Sequence, residues 1–242
     1  MIPKKIHYCW FGRGPLSDLT LKCIESWKKF LPDYEIIQWN EDNFDVNSYT
    51  FSKEAYEARK YAFVADICRL DVLHKFGGIY LDTDMELLKP LSIISPNFIS
   101  GFEDSKYVGA GIIISPKEDK FVTSVLEKYR ELSFNKCIDK LREYTIPKIF
   151  TDELVKYGLK LDNTKQVLND SVIIYPSEYF YPLNYFTGKL SITEKTMTIH
   201  HYDSSWMSSG QKTIMKLKIF LISIFGTSII SKIIRRIKRY AR

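Results

Sequence analysis

Cysteine is scarce in this 242-residue chain. Its 4 cysteines, Cys9, Cys23, Cys68 and Cys137, form no CxxC clip and no spacing that reads as a disulfide framework. That argues against a stapled secreted scaffold and for a reducing, cytosolic compartment. Long apolar runs are missing as well. The stretch from Ile219 to Ser231 is uncharged and mostly apolar, but a membrane-spanning helix needs about 20 such residues. No apolar segment follows the basic start Met1-Ile2-Pro3-Lys4-Lys5, so the chain opens without a signal-peptide pattern. Internal repeats and low-complexity segments are also absent. What remains is ordinary for a folded domain: 45% hydrophobic and 26% charged residues, with 16 Tyr and 15 Phe. A chain of this length can bury one sizeable α/β core.

Acidic residues are absent from residues 211–242, which hold Lys212, Lys216, Lys218, Lys232, Arg235, Arg236, Lys238, Arg239 and Arg242. Those nine charges exceed the net +6 of the whole chain, so residues 1–210 are mildly acidic. The basicity belongs to the tail and does not indicate nucleic-acid binding. Two regions follow: a folded domain over 1–210 and a basic, amphipathic helical tail over 211–242. The tail is expected to lie on an anionic membrane surface. A competing reading packs it on the domain with its basic end in solvent.

Ile6, Tyr8 and Trp10 alternate with His7 and Cys9 as in a strand, which Gly12-Arg13-Gly14-Pro15 ends. Ser17 or Asp18 caps a helix running to about Phe30, with Leu19, Cys23, Ile24 and Trp27 on one face. Tyr34–Trp39 reads as a second strand, so the opening is a βαβ unit with parallel strands. One long helix is expected from about Ser52 to Phe76, stopped by Gly77-Gly78. Ile79-Tyr80-Leu81 then forms a short buried strand running into Asp82-Thr83-Asp84. Further strands are expected at Phe98–Phe102, Gly111–Ser115, Val172–Tyr175 and Met197–His201, with a helix at about Lys120–Leu132.

Asp82 and Asp84 are the first candidates for chemistry. Carboxylates at i and i+2 after a strand can converge on one divalent cation, which takes hard oxygen ligands. An isolated DxD also occurs in many solvated turns, so its surroundings must decide. Asp66 and Arg69, three apart on a helix, project from the same face and suit sugar hydroxyls and phosphate respectively. On their own they would read as an intrahelical ion pair. Asp71 reads as surface or structural, and His7 as structural.

The run Tyr61–Glu86 contains Ala65-Asp66, Arg69, Gly77-Gly78-Ile79-Tyr80 and Asp82-Thr83-Asp84. It resembles the donor-binding core of the DXD-containing glycosyltransferases of family 32, which includes bacterial capsule and O-antigen transferases and fungal initiating mannosyltransferases. Ile6–Gly12 resembles the first strand of that family and of the large clostridial glucosylating toxins. The resemblance implies a GT-A type α/β fold with a mostly parallel central sheet, and a catalytic set of Asp66, Arg69, Asp82 and Asp84. It implies donor contacts from Trp10, stacked on the base, and from Asp66, Arg69, Asp82, Ser204 and Trp206. Ile199–Trp206 carries a His, a Ser three residues on and a Trp two after that, similar to the toxins' segment with His in place of an acid. On that spacing His201 joins Asp82 and Asp84 as metal ligand. His200 is the alternative, since adjacent strand residues face opposite sides. The turn Gly109-Ala110-Gly111 lacks the family's frequent Asn. Thr151-Asp152 and Tyr179–Asn184 are read as sugar-facing loops or as packing.

The resemblance further implies Mn²⁺ or Mg²⁺, a nucleotide-sugar donor (UDP-sugar first, GDP-mannose second) and retention of configuration. No carboxylate is marked as a nucleophile, so front-face attack is the expected route. The acceptor is expected to be a polyprenyl-diphosphate-linked oligosaccharide at the inner face of the cytoplasmic membrane. Two other classes compete. One is a haloacid dehalogenase-type phosphohydrolase, whose DxD is followed by x-Thr or x-Val where this chain has Glu86. The other is a non-enzymatic, membrane-associated protein in which the tail is the functional part.

Overall fold

The computed structural model describes residues 1–203. The tail, the boundary at 210, Ser204 and Trp206 lie outside the described residues.

The chain opens with β1 (Lys5–Cys9), α1 (Asp18–Phe30) and β2 (Glu35–Trp39). The two strands pair in parallel, as the βαβ reading requires. Ser17 caps α1 by accepting the Thr20 N–H, and Thr20, Cys23, Ile24 and Trp27 face inward. After a short 3₁₀ turn come α2 (Thr50–Glu57) and α3 (Tyr61–Phe76), where one helix was expected. The break falls at Arg59, whose φ of 55° is left-handed. There the Lys60 N–H reaches back to the Ala55 carbonyl at 2.8 Å, closing the helix end. Such a stop normally uses glycine, so strong helix formers hid it in the sequence. α3 does stop at Gly77 and Gly78, with φ of 62° and 114°. A Cβ on Gly78 would sit 2.7 Å from the Lys5 carbonyl oxygen.

Next come β3 (Gly78–Leu81), β4 (Met85–Leu87), β5 (Phe98–Gly101), β6 (Ile112–Ser115) and α4 (Lys120–Arg130). They are followed by α5 (Phe134–Cys137), a 3₁₀ stretch, α6 (Ile146–Lys156), β7 (Gln166–Leu168), β8 (Val172–Tyr175), α7 (Ser177–Phe180) and β9 (Thr198–His200). Seven strands form one sheet in the order β2-β1-β3-β6-β5-β8-β7. β1, β2, β3, β5 and β8 run one way, and β6 and β7 run against them. The central sheet is therefore mostly parallel, as expected. β4 and β9 form a separate antiparallel ribbon.

Period-two alternation divides the core between the two faces of the sheet. Tyr80, Ile113 and Phe98 point toward α2, α3, α4 and α6. Ile79, Leu81, Ile99, Ile112 and Ile114 point toward α1 and the ribbon. Trp27, fully buried, donates its indole N–H to the Met85 carbonyl at 2.7 Å and ties α1 to β4. Asp71 is structural: it is buried and accepts the Tyr49 hydroxyl at 2.7 Å and the Lys75 ammonium at 2.6 Å.

His7 is fully buried in the sheet. Its Nε2–H donates to the Gly77 carbonyl at 2.9 Å, and its Nδ1 accepts the Trp39 indole N–H at 3.0 Å. Burial, the largest influence, pulls the imidazole from 6.5 down to about 4. Between those values the unfolded chain holds a proton that the folded one does not. Stability is therefore full above about pH 6.5 and falls as the pH drops to 4, by about 3 kcal/mol at most. Urea unfolding from pH 4 to 7 should show this slope in the wild type and lose it in His7→Gln. Parallel profiles would remove His7 as its source.

Candidate active site

The site forms where β3 ends. Asp82 follows Leu81 directly, and its backbone N–H is held by the Gly111 carbonyl at 2.8 Å. The ribbon register sets Met85 opposite His200, which carries the far end of the described chain to the DxD. His200 Nε2 lies 3.1 Å from Asp84 Oδ1. Tyr202 takes a left-handed φ of 52°, uncommon for a bulky residue. Just beyond this turn the Asp203 N–H reaches Asp84 Oδ2 at 2.9 Å.

Asp82, Asp84 and His200 each offer a ligand atom, all within 4.8 Å of one another. The geometry thus reverses the expected choice between the two histidines. His201 lies on the other side of the ribbon, and its Nε2–H donates to Glu86 at 2.7 Å. Glu86 also takes Lys22 at 2.9 Å. Burial works against the Glu86 charge, but bonds from Lys22 and His201 hold its carboxyl below the usual range.

Without a metal, Asp84 and His200 form a charged pair, and His200 would give up its proton on ligating a cation. Burial alone would raise Asp84, yet the His200 charge and hydrogen bonds bring its carboxyl to about 2. Burial likewise opposes a charge on His200, but Asp84, Asp82 and Glu103 raise it to about 9. His200 Nδ1 is buried with no hydrogen-bond partner. Two carboxylates and one imidazole form a mixed oxygen and nitrogen donor set that fits Mn²⁺ well and Mg²⁺ less well.

Arg69 is almost fully buried, and its guanidinium sits in an internal network. Nη2 reaches Asp66 at 3.0 Å and Asp82 Oδ1 at 3.3 Å. Nη1 donates to the Ala110 carbonyl at 2.8 Å and Nε to the Ala65 carbonyl at 3.3 Å. The Tyr80 hydroxyl donates to the same Asp82 Oδ1 at 3.0 Å. Arg69 and Tyr80 therefore fix Asp82 and leave Oδ2 toward the site, the arrangement by which outer partners orient a ligand. Asp66 is buried as well. Burial, outweighing Arg69, pushes its carboxyl to about 6.

Trp10 is half-buried at the carboxyl end of β1, its indole N–H bonded to the Gly14 carbonyl at 2.7 Å. The turn Gly109-Ala110-Gly111 rests on Tyr181, whose hydroxyl accepts the Gly111 and Ile112 N–H groups at 3.0 and 3.2 Å. A Cβ on Gly109 would lie 2.4 Å from the Tyr181 ring. Phe180 and Tyr181 thus pack inward, while Asn184 is exposed and caps its own turn. Thr151 is buried within α6, bonded to Val108 and Pro147, and Asp152 pairs with Lys148. Of the two readings of these segments, these contacts are of the packing kind.

Glu103 was not picked out by sequence reasoning. It follows the end of β5, and burial raises its carboxyl while His200 opposes the rise. The only sequence signal was an acidic pair, Glu103-Asp104, after an apolar strand.

Residues 17–101 match the family described as "Glycosyltransferase sugar-binding region containing DXD motif". The chain carries a DXD glycosyltransferase sugar-binding region. Among relatives, an uncharacterized glycosyltransferase L373 of Acanthamoeba polyphaga mimivirus is 27% identical over 203 residues, 78% of this chain and 76% of that protein. Inositol phosphoceramide mannosyltransferase 3 of Schizosaccharomyces pombe is 32% identical over 91 residues, 35% of this chain and 24% of that protein. Subversion of eukaryotic traffic protein A of Legionella pneumophila is 25% identical over 142 residues, 48% of this chain and 20% of that protein. The matches thus span only about a fifth to a quarter of the last two proteins. The solved PaToxG glycosyltransferase superposes with a TM-score of 0.55 at 19% identity, covering 64% of this chain and 69% of that one. That likeness supports the GT-A fold. The phosphohydrolase alternative is not favoured, because the DxD falls inside the matched sugar-binding region.

Proposed function

We propose that this DXD glycosyltransferase domain is a metal-dependent, retaining transferase. It would move a hexosyl or N-acetylhexosaminyl unit from a nucleotide sugar, UDP-sugar first, to a saccharide hydroxyl. The observation that carries the reading is the convergence of Asp82, Asp84 and His200 at the carboxyl end of β3. Open α/β sheets bind nucleotides at that edge. When bound there, the cation would neutralise the leaving diphosphate. Arg69 and Tyr80 hold Asp82 in place, the Asp203 N–H and His200 hold Asp84, and Trp10 offers an indole face for the base. A polyprenyl-diphosphate-linked oligosaccharide remains the proposed acceptor, with the basic tail keeping the enzyme at the inner membrane face. GDP-mannose is the second donor, supported by the mannosyltransferase relative.

The test is a panel of UDP- and GDP-sugars with Mn²⁺, scored for slow donor hydrolysis. Release of sugar from at least one donor is expected, and binding of none would end the reading. In the same assay His200→Ala should cost about 100-fold in Mn²⁺ affinity, whereas His201→Ala should cost less than about 10-fold. The reverse order would restore His201 as the ligand.

A further inference from the structure

The segment Gly109 to Ile112 runs beside the DxD, and buried side chains from three elements hold its backbone. Ser100, fully buried on β5, reaches the Gly109 carbonyl at 2.8 Å and the Ile112 carbonyl at 3.1 Å. Tyr181, just after α7, accepts the Gly111 and Ile112 N–H groups. Arg69, on α3, donates to the Ala110 carbonyl. The Gly111 carbonyl in turn takes the Asp82 N–H at 2.8 Å. The distance between this backbone and Asp82 is therefore set by a closed set of hydrogen bonds.

The two glycines of the segment serve different neighbours. A Cβ on Gly109 would run into the Tyr181 ring, so that glycine is required by packing. A Cβ on Gly111 would meet Asp82 Oδ2 at 3.2 Å, Met85 Sδ at 3.3 Å and His200 Cε1 at 3.5 Å. All three are side-chain atoms, and two belong to residues of the cation set. Gly111 is not left-handed, so its backbone conformation does not call for glycine. Asp82 cannot swing aside freely, because Arg69 and Tyr80 hold its Oδ1. His200 is confined as well, with the Tyr181 ring 5.7 Å and the Tyr202 ring 4.1 Å from its own, centroid to centroid.

We propose that Gly111 is a positioning residue of the cation site, its missing side chain reserving the space in which Asp82 and His200 close on the metal. The inference rests on the cation reading above and deepens it. Asp82, Asp84 and His200 offer ligand atoms within 4.8 Å of one another. A metal site tolerates errors of only about 0.2 Å in its ligand distances. A methyl group at Gly111 would force Asp82 Oδ2 to give by a few tenths of an ångström and would stand against the His200 ring. It would thus spoil the ligand geometry while touching no backbone.

The test is Mn²⁺ binding to the full chain by calorimetry, without donor or acceptor, paired with melting temperatures measured in a metal chelator. Wild type, Gly111→Ala and Gly109→Ala are compared. Gly111→Ala should weaken Mn²⁺ about 10- to 100-fold, the range seen when the support of a metal ligand is disturbed. Its metal-free melting temperature should stay close to that of wild type, and the rise that Mn²⁺ gives wild type should shrink. Gly109→Ala should lower the metal-free melting temperature by several degrees, as overpacking does. Mn²⁺ affinity within about twofold of wild type in Gly111→Ala would overturn the proposal. A metal-free melting temperature as low in Gly111→Ala as in Gly109→Ala, or a Gly111→Ala chain that does not fold, would overturn it too and make Gly111 a packing glycine. A wild type that binds no Mn²⁺ would instead sink the underlying cation reading.

Discussion

Replacing Asp84 with alanine is expected to cut nucleotide-sugar hydrolysis by about 10³-fold, the equivalent of about 4 kcal/mol of barrier. The size follows from what Asp84 joins. One oxygen faces His200 at 3.1 Å and the other takes the Asp203 N–H at 2.9 Å. Loss of the carboxylate removes a charge from the proposed ligand set and releases the segment that brings His200 to it. Asp84→Asn separates these effects, because an amide oxygen can still accept the Asp203 N–H while the charge is gone. It should lose nearly as much activity with little change in melting temperature. Steady-state donor hydrolysis at saturating Mn²⁺ is the measurement. Activity within tenfold of wild type in both variants would remove Asp84 from the chemistry.

Arg69→Met is expected to destabilise the fold by about 3–5 kcal/mol, because it leaves two carboxylates without their shared cation. Asp66 and Arg69 have side-chain exposures of 11% and 7%, so water cannot substitute. For a chain of this size the melting temperature should fall by roughly 10 °C. The guanidinium also lies over the Tyr80 ring at 4.6 Å, a contact that methionine replaces poorly. Arg69→Lys should recover only part of the loss, since an ammonium cannot bridge Asp66, Asp82 and the Ala110 carbonyl from one plane. Pairing Arg69→Met with Asp66→Asn should restore about 1–2 kcal/mol if the lost charge balance is the cause. Thermal melts of the single and double variants decide it, and strict additivity would point to packing instead.

What the sequence disclosed was mostly local. Ser17 capping α1, the glycine stop after Phe76 and the alternation within β1 and β3 each depend on neighbours a few positions away. The set Asp66, Arg69, Asp82 and Asp84 was legible because it lies within one continuous run. The choice between His200 and His201 was not. Adjacent residues on a strand face opposite sides, and only the pairing of Met85 with His200 sets the phase. β4 has 3 residues, too few to show a period. The division of α2 from α3 was hidden because arginine, not glycine, holds the left-handed position. Glu103 belonged to no motif. It follows β5 in a turn held by Asp104, and the field of His200, far along the chain, acts on its carboxyl only in the folded state.

The small ribbon of β4 and β9 also sets a schedule. Among the described residues, the last strand of the seven-stranded sheet ends at Tyr175, and none of the seven pairs with β9. Asp84 and Asp203, by contrast, are 119 positions apart and meet only when β9 returns to the edge of α1. Such a distant closure is slow relative to local structure, and chains fold in part as they are synthesised. A nascent chain could therefore form the seven-stranded sheet while still unable to complete the three-residue cation site.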